Sequence, residues 1–540
     1  MLLHCALAAG AMVSMPNVGS QTYSSTFKAH AISMRLDFGQ PDDQFAPTVA
    51  NSDAATPSER AEVAARLAAW VERSGGSASG VRVTVESDAS RGIGLVAAQT
   101  ARVGDELLSV PLSLGLSAER ALSSSMGTHL MEFDPYLADY AFIALALLHE
   151  RRLGDDSDLA PWLSGCASLM PPSGFGDLPL LWEGGAEALA DLESATVAGA
   201  QERLDDLNED FKWLEENVFS AEPTIFPPFV FTYDAYKAAV AVAISRSVAV
   251  VDADGEARPM LLPLLDLVNH DGGSPTAVLA TKQAKAQGLF GGGAASPACA
   301  TLAVSSEARG AGVDAGGALC MRYGGSTSGE LLLDHGFLDE PVAPLAPLTF
   351  AIDDDDTYLD EKVDCLEQVG LAADATWLVG EPDAAGEAIP SETLAFLRLK
   401  HMSNADAFLL EPVFLDSLWR EHLQLPVSED NERAALEDLK TSAAAALGRL
   451  GASVQADLQT LAEADKASRE FAFASVRYAE RRALQAVSRA VDNALDGLKG
   501  LEYYQDRRLA SLGLTPIETD EELEALKAAG RSISATDYDW

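Results

Sequence analysis

The sequence predicts an α+β protein, with a β-rich fold that is split by a helical insert and followed by an all-α C-terminal domain. The segment 81–86, VRVTVE, alternates apolar and polar residues with the period of two of a half-buried strand. From 116 to about 235 the apolar residues follow helical spacing instead, and short strand-like segments return between 261 and 323. After about residue 345 helical patterns prevail. These changes of period predict one interrupted β-rich fold and a helical domain behind it.

The first predicted element is a helix that follows a polar, Pro- and Asp-rich linker at 41–55. Thr56 is a suitable N-cap, Pro57 suits the first turn, and Glu59 completes a capping box. The glycine pair that begins at Gly75 ends the helix. The apolar residues of this helix recur at helical spacing on one face: Val63, Leu67, Trp70 and Val71.

The remaining elements follow from the same two periods. Strands are predicted at Glu106–Val110, Thr301–Val304 and Ala318–Tyr323, with a Gly-rich loop at 281–317 between short strands. The apolar run from Leu261 predicts a buried strand that stops at Asp266. The predicted helices are Tyr233–Val250, Thr393–Lys400, Ala405–Leu410, Asn431–Leu450 and Phe471–Leu498.

Composition limits the classes of partner. The formal net charge is −44, from 82 acidic and 38 basic residues, and no basic stripe is present, so we expect no nucleic-acid binding. A field of this sign favours basic partners. No run of ~18 apolar residues occurs, and we therefore expect no membrane span. The first 36 residues contain no Asp or Glu, which is typical of a transit peptide and predicts a plastid location, with cytoplasmic and nuclear locations as alternatives.

The five cysteines are scattered and form no C-x-x-C motif: Cys5, Cys166, Cys299, Cys320 and Cys365. Neither a zinc site nor a disulfide framework is therefore predicted. His270 has no second His or Cys at ligand spacing, so no metal site is expected there either.

Three separate segments carry polar or glycine-rich chemistry at the ends of predicted strands. They are RGIGLVA at Arg91–Ala97, LLPLLDLVNHD at Leu261–Asp271, and MRYGGSTSGELLLDHGFLD at Met321–Asp339. The second segment alone is also compatible with a strand that ends in a turn held by Asn and Asp side chains. The first also fits the dinucleotide fingerprint, but no helix opens after its glycines, and a dinucleotide-dependent oxidoreductase is therefore set aside.

In this order the three segments resemble a SET-domain methyltransferase, and more narrowly the Rubisco large-subunit lysine methyltransferase family. That family carries a G-x-G-L-V-A opening, a P-x-x-D-x-x-N-H strand end, and a Y-G followed by a G-F. The similarity extends over roughly Thr56–Lys499, with NE at Asn431 and RYAERRAL at Arg477–Leu484 as its best matches in the C-terminal part. The resemblance implies a SET fold, S-adenosylmethionine as cofactor, methyl transfer to a protein lysine, and a helical substrate-binding domain.

The resemblance also implies domain boundaries. They are a targeting segment and linker at 1–55, a SET domain at 56–345 with its insert at about 116–235, a helical substrate-binding domain at 346–500, and a tail at 501–540.

The resemblance assigns roles to individual residues. The residues expected to contact the cofactor are Arg91, Gly92, Ile93, Arg246, Asn269, His270 and His335. Those expected at the substrate are Ser245, Asp266, chiefly through its main-chain carbonyl, and Phe337. Tyr323 is the expected catalytic residue, since its hydroxyl and nearby carbonyls orient a neutral amine for in-line transfer without a strong base.

Three positions depart from the family pattern. The family often has an acidic residue at Arg91, an aromatic at Val248, and a tyrosine at His335. A free histidine changes charge near pH ~6.5, so His335 predicts weaker cofactor binding below about pH 6.

Two other functions stay open from the sequence. One is methylation of a protein histidine on the same fold, and the other is a non-catalytic acidic interaction protein with a degenerate SET domain. The substrate is expected to be a protein with an exposed lysine, for which the family offers the Rubisco large subunit and aldolase. The sequence does not determine methylation number or oligomeric state.

Overall fold

The computed structural model describes residues 57–84, 93–169, 178–181, 195–252, 255–284, 297–308, 310, 312–323, 327–339, 341–382, 389–410, 423, 425–466 and 468–504. The predicted targeting segment, Arg91, Gly92 and most of the predicted tail lie outside these residues. The chain forms two compact units, which are Met1–Ala343 with Val454–Val476, and Pro344–Ser453 with Arg477–Trp540. No helix in the described part of the chain has the length and apolar character of a membrane span.

The helices in the described part of the chain, in order, are α1 Pro57–Arg73, α2 Ala118–Ser123, α3 Ser125–Met131, α4 Asp139–Leu153, α5 Ala160–Leu169, α6 Ala195–Leu214, α7 Tyr233–Arg246, α8 Ser328–His335, α9 Leu359–Glu367, α10 Ser391–Lys400, α11 Glu429–Arg449, α12 Val454–Glu463 and α13 Arg469–Gly497. The strands are β1 Val81–Val83, β2 Leu95–Ala97, β3 Ala101–Arg102, β4 Glu106–Pro111, β5 Val248–Val251, β6 Ala257–Met260, β7 Asn269–His270, β8 Ala277–Lys282, β9 Cys299–Val304, β10 Gly312–Val313, β11 Ala318–Met321, β12 Leu345–Ala351 and β13 Asp374–Gly380.

Short strands form the frame of the first unit. A four-stranded sheet has the order β1-β2-β11-β7, and β4-β9-β8 form an antiparallel sheet. Helices α2 to α7 occur between β4 and β5 in the chain, which confirms the predicted interruption of the β-rich fold by a helical insert. In β2, the strand follows Gly94 directly, and no helix opens there.

Helix α1 agrees with its sequence pattern. It begins at Pro57, and the four apolar residues expected on one face are the buried ones. Helix α7 ends earlier than predicted: its Arg246 is followed by strand β5, whereas the sequence analysis extended the helix to Val250. The residues of β5 include three β-branched valines, which suit a pleated strand better than a helix.

The prediction of a buried strand from Leu261 to Asp266 is wrong. The leucines of this run are buried, but the run leads into a turn of 3-10 helix at Leu265–Leu267, and the strand begins only at Asn269. Pro263 has no N–H for a ladder, and Leu264 adopts a positive φ of 68°, which is incompatible with a strand. The apolar run is therefore a buried loop that delivers Asn269 and His270 to the sheet.

The second unit is mainly helical, as predicted, and it also contains a two-stranded ribbon that the sequence analysis missed. Strands β12 and β13 pair antiparallel from Leu345↔Gly380 to Ala351↔Asp374. Pro347 weakens the strand pattern in the sequence, although a ribbon tolerates proline because each strand has an open edge. The core of this unit includes the predicted apolar stripe of α13, with Leu484, Val487 and Val491 fully buried.

A buried ion pair joins α10 to α11 in the second unit. Arg398 donates from Nε and Nη2 to the two carboxylate oxygens of Glu432 at 2.6 and 2.7 Å. Arg398 Nη1 also donates to the Leu423 carbonyl at 2.7 Å, and Asn431 Nδ2 donates to the Arg398 carbonyl at 2.9 Å. Both charged side chains are about 5% exposed or less. The Asn431–Glu432 motif therefore holds two helices together through a fully paired buried charge.

We expect Glu432→Ala to lower the free energy of unfolding by about 3–5 kcal/mol, because it leaves the Arg398 charge buried and uncompensated. Chemical denaturation of the full chain measures the change. The matched control is Glu429→Ala on the same helix, since Glu429 pairs with Arg433 at a surface where both side chains are about 40% exposed. That change should cost less than about 0.5 kcal/mol. Equal losses for the two variants would contradict the assignment.

Candidate active site

One short ladder brings the three sequence segments together. Strand β7 runs parallel to β11, with Asn269 opposite Cys320 and His270 opposite Met321. On its other side β11 pairs antiparallel with β2, with Leu319 opposite Leu95. Residues that are more than 200 positions apart in the chain thereby become neighbours in a single sheet.

Tyr323 lies just beyond the end of β11 and is fixed at both ends. Its hydroxyl donates to the Val268 carbonyl at 2.5 Å, and its main-chain N–H donates to His270 Nδ1 at 3.0 Å. Burial raises the pKa of the Tyr323 hydroxyl to about 12, and the positive charge of Arg246 opposes this rise. The phenol is therefore neutral at physiological pH, and its oxygen can accept a hydrogen bond while its proton is directed to Val268.

Three other rings surround Tyr323. The ring centroid of Tyr323 lies 4.6 Å from that of His335 and 5.0 Å from that of His270. Phe337 lies 5.6 Å from His270, 5.9 Å from His335 and 6.3 Å from Tyr323. The rings are tilted or edge-on to one another, which is the preferred geometry of aromatic contacts. They form a rigid wall on which a planar or cationic group can pack.

His335, at the end of α8, is a neutral member of this ring cluster. Its Nδ1 donates to the Ser245 carbonyl at 3.1 Å, since a carbonyl oxygen can only accept. Burial lowers the pKa of His335 to about 4, with Arg246 and His270 lowering it further and Asp334 opposing them. The expectation that cofactor binding weakens below about pH 6 is therefore corrected, because the change of charge moves to lower pH.

Arg246 and Asp266 face each other beside the ring cluster. Arg246 Nη1 donates to the main-chain carbonyl of Asp266 at 3.0 Å. The Asp266 carboxylate accepts from Trp162 Nε1 at 3.0 Å, so a residue of α5 in the helical insert also contacts this segment. Burial raises the pKa of Asp266 to about 6, while the Trp162 hydrogen bond and the Arg246 charge lower it.

Asn269 lies directly against the backbone of Gly94. A Cβ at Gly94 would lie 2.4 Å from Asn269 Nδ2, so a larger residue here would displace the Asn269 side chain. Gly94 is itself held by Thr84, whose Oγ1 accepts from the Gly94 N–H at 2.8 Å. The glycine-rich opening and the Asn-His strand are therefore in contact, as the resemblance to the SET family implies.

The structure gathers most of the site residues that the sequence analysis named. Tyr323, His270, His335 and Phe337 share the ring cluster, whereas Ser245, Arg246 and Asp266 lie next to it through the contacts given above. Ile93 is buried beside Gly94, while Arg91 and Gly92 lie outside the described residues. The sequence analysis missed Trp162, the Val268 carbonyl and Asp339, because nothing in their local spacing distinguishes them from core or loop residues.

The donor set is suited to S-adenosylmethionine. Arg246 supplies a permanent positive charge for a carboxylate, and Asn269 supplies both a donor and an acceptor for a base edge or an amino-acid head group. The Oγ of Ser245 is buried and has no hydrogen-bond partner among the residues that the structure describes. A buried polar atom without a partner costs about 1–3 kcal/mol, which indicates a site that a ligand completes. The described residues contain no group of three His, Cys, Asp or Glu side chains that could hold a metal ion.

Comparisons with known proteins point to protein methyltransferases. The family profile described as Rubisco LSMT substrate-binding, where LSMT is the large-subunit methyltransferase, matches residues 353–484. The chloroplastic Rubisco large-subunit N-methyltransferase of Pisum sativum is 28% identical over 431 residues, which cover 79% of this chain and 81% of that protein. The chloroplastic fructose-bisphosphate aldolase-lysine N-methyltransferase of Arabidopsis thaliana is 26% identical over 472 residues, which cover 86% and 90%.

Solved structures resemble the fold. The structure of Rubisco LSMT bound to AdoMet matches with a TM-score of 0.57 at 25% identity, over 86% of this chain and 99% of that one. The SET domain of LSMT bound to lysine and AdoHcy matches with a TM-score of 0.60 at 24% identity, over 87% and 99%. The shared fold, the gathered segments and the substrate-binding profile support a Rubisco LSMT-like SET-domain protein methyltransferase.

Proposed function

We propose that this chain methylates the ε-amine of a lysine on a plastid protein, with Tyr323 as the catalytic residue. The enzyme is a protein-lysine N-methyltransferase that uses S-adenosylmethionine. The observation that carries the assignment of Tyr323 is its hydroxyl, held on the Val268 carbonyl at 2.5 Å inside a wall of three other rings.

The chemical problem is the protonation state of the lysine. A free lysine has a pKa near ~10.4, so only about 1 in 2,500 is neutral at pH 7, which corresponds to a deficit of about 4.6 kcal/mol. Burial among apolar rings and the nearby charge of Arg246 both disfavour an ammonium ion. These effects favour the neutral amine, so the reaction requires no strong side-chain base.

Orientation is the task of the chain's own polar groups. The Tyr323 proton is directed to Val268, so its oxygen accepts from an amine N–H and turns the amine lone pair toward the methyl donor. Ser245 Oγ and Phe337 would line the path of the lysine side chain. S-adenosylmethionine supplies the methyl group; Arg246, Asn269, His270, His335 and the backbone at Ile93 would hold it, as would Arg91 and Gly92 outside the described residues.

The net charge of the chain and the substrates of its relatives support a proposal for the substrate. A net charge of −44 favours a partner with an exposed basic patch around its target lysine. The relatives act on the Rubisco large subunit and on fructose-bisphosphate aldolase, and their names place them in the chloroplast. The absence of Asp and Glu in the first 36 residues supports the same location for this chain.

We expect Tyr323→Phe to lower kcat by about 10²-fold or more, because it removes a preorganised polar group from the reacting amine. Cofactor affinity, measured by calorimetry, should remain within a few-fold. The matched control is Tyr233→Phe, which removes a hydroxyl that bonds Asn208 on the exposed side of α7. Normal turnover by Tyr323→Phe would remove this residue from the mechanism.

His335 should give the stability of the protein a specific pH dependence. In the unfolded chain its pKa is ~6.5, and in the folded chain it is about 4, so the unfolded state binds more protons between these values. The free energy of unfolding therefore falls, by up to about 3 kcal/mol, as pH drops from ~6.5 to ~4. The difference between the wild type and His335→Phe isolates this effect, because other groups titrate in both proteins. Parallel stability curves over this pH range would refute it.

The substrate is tested by incubating the enzyme with methyl-labelled S-adenosylmethionine and, in separate reactions, purified Rubisco, purified aldolase and a plastid extract. Mass spectrometry of the labelled band identifies the protein and the modified side chain. We expect the label on lysine, with Tyr323→Phe as the inactive control. Label on histidine would favour the alternative of a histidine methyltransferase, and label in neither purified protein would direct the search to the extract.

A further inference from the structure

Asp339 lies within hydrogen-bond distance of His270 at the candidate site, although the sequence analysis gave it no role. It follows Phe337 by two residues, beyond the end of α8, and its Oδ2 lies 3.1 Å from His270 Nε2. The His270 side chain is only 5% exposed, whereas that of Asp339 is 32% exposed. The carboxylate therefore reaches from the surface to a buried imidazole that contacts the Tyr323 ring.

The hydrogen bonds define the tautomer of His270. The main-chain N–H of Tyr323 can only donate, so His270 Nδ1 must be the acceptor at 3.0 Å. The proton of the neutral ring is then on Nε2, which donates to Asp339. Both ring nitrogens are bonded to the protein, and Asp339 stabilises the one tautomer that can hold Tyr323.

The contact with His270 holds a residue just beyond the sheet. Strand β11 ends at Met321, and two residues later the N–H of Tyr323 donates to the imidazole of His270. The hydroxyl of the same tyrosine is held by Val268, two residues before His270. Both ends of Tyr323 are thus fixed by one short segment, and a rotation of the His270 ring would release one of them.

The lack of a side chain at Gly272 leaves room for the Asp339 carboxylate. A Cβ at Gly272 would lie 2.2 Å from Asp339 Oδ2 and 3.2 Å from His270 Nε2. A side chain at this position would therefore displace the carboxylate from the imidazole.

We propose that Asp339, acting through His270, is a positioning residue that holds the Tyr323 hydroxyl in its catalytic orientation. The inference rests on the proposed function, in which Tyr323 contacts the reacting amine. It extends the site to the loop after α8 and to Gly272. Asp339 itself does not touch the substrate; its carboxylate fixes the ring that fixes the tyrosine backbone.

The test is a double-mutant cycle in the full-length enzyme, with single-turnover rates and calorimetric cofactor affinity measured for each variant. Asp339→Ala should lower the rate about 10-fold with cofactor affinity within a few-fold of wild type. Asp339→Asn keeps an acceptor for His270 Nε2 and should remain within about 3-fold of wild type. In a Tyr323→Phe background, Asp339→Ala should lower the rate by less than about 2-fold, because residues that act as a unit are not additive.

Two further variants complete the design. Gly272→Ala leaves both partners in the sequence but displaces the carboxylate, and it should reproduce the rate loss and the non-additivity of Asp339→Ala. Asp314→Ala removes an exposed carboxylate elsewhere in the first unit and should leave the rate unchanged.

Two outcomes overturn the inference. Equal rate losses from Asp339→Ala in the wild-type and Tyr323→Phe backgrounds would show that Asp339 acts independently of the tyrosine. A wild-type rate for both Asp339→Ala and Gly272→Ala would show that the contact has no role in turnover. Normal turnover by the single variant Tyr323→Phe would contradict the proposed function. That result is distinct from both outcomes above.

Discussion

The parallel pairing of Asn269 and His270 with Cys320 and Met321 is the constraint on which the candidate site depends. Main-chain hydrogen bonds fix the positions of paired residues closely, and two groups of the site lie within three residues of this ladder. Val268 precedes it and accepts from the tyrosine hydroxyl, while Tyr323 follows it on the other strand. A shift of register by one residue would turn each of these side chains to the opposite face of the sheet.

Burial then sets the charges that the site presents. Tyr323 and His335 are neutral because burial deprives their charged forms of hydration. Arg246 is the permanent cation beside them. An environment that lowers the pKa of a buried histidine also disfavours an ammonium ion. Its walls therefore favour the neutral form of an amine that enters, and the donors and acceptors on those walls orient it. In the proposed mechanism, this combination of desolvation and fixed hydrogen bonds takes the place of a dedicated general base.

The errors of the sequence analysis have a common physical origin. The run from Leu261 has the composition of a buried strand, yet Pro263 and the positive φ of Leu264 make it a buried loop. Burial was predicted correctly from apolar composition, but conformation was not, because a short apolar run fits strand, helix and buried loop alike. The ribbon of β12 and β13 was missed for a related reason. The two strands are separated by a helix in the chain, and neither strand's sequence reveals its pairing partner.

The sequence by itself determined the elements with a clear period and the segments with a distinctive order of residues. These include the buried face of α1, the apolar stripe of α13, the interrupted β-rich fold, and the three segments that carry the SET resemblance. Only the tertiary structure decided that Trp162 bonds Asp266 across 104 positions, that Asp339 bonds His270 across 69, and that His335 is neutral. Local periodicity depends on residues that are near in sequence. A long-range hydrogen bond or a shifted pKa depends on which distant groups the folded chain places beside a residue.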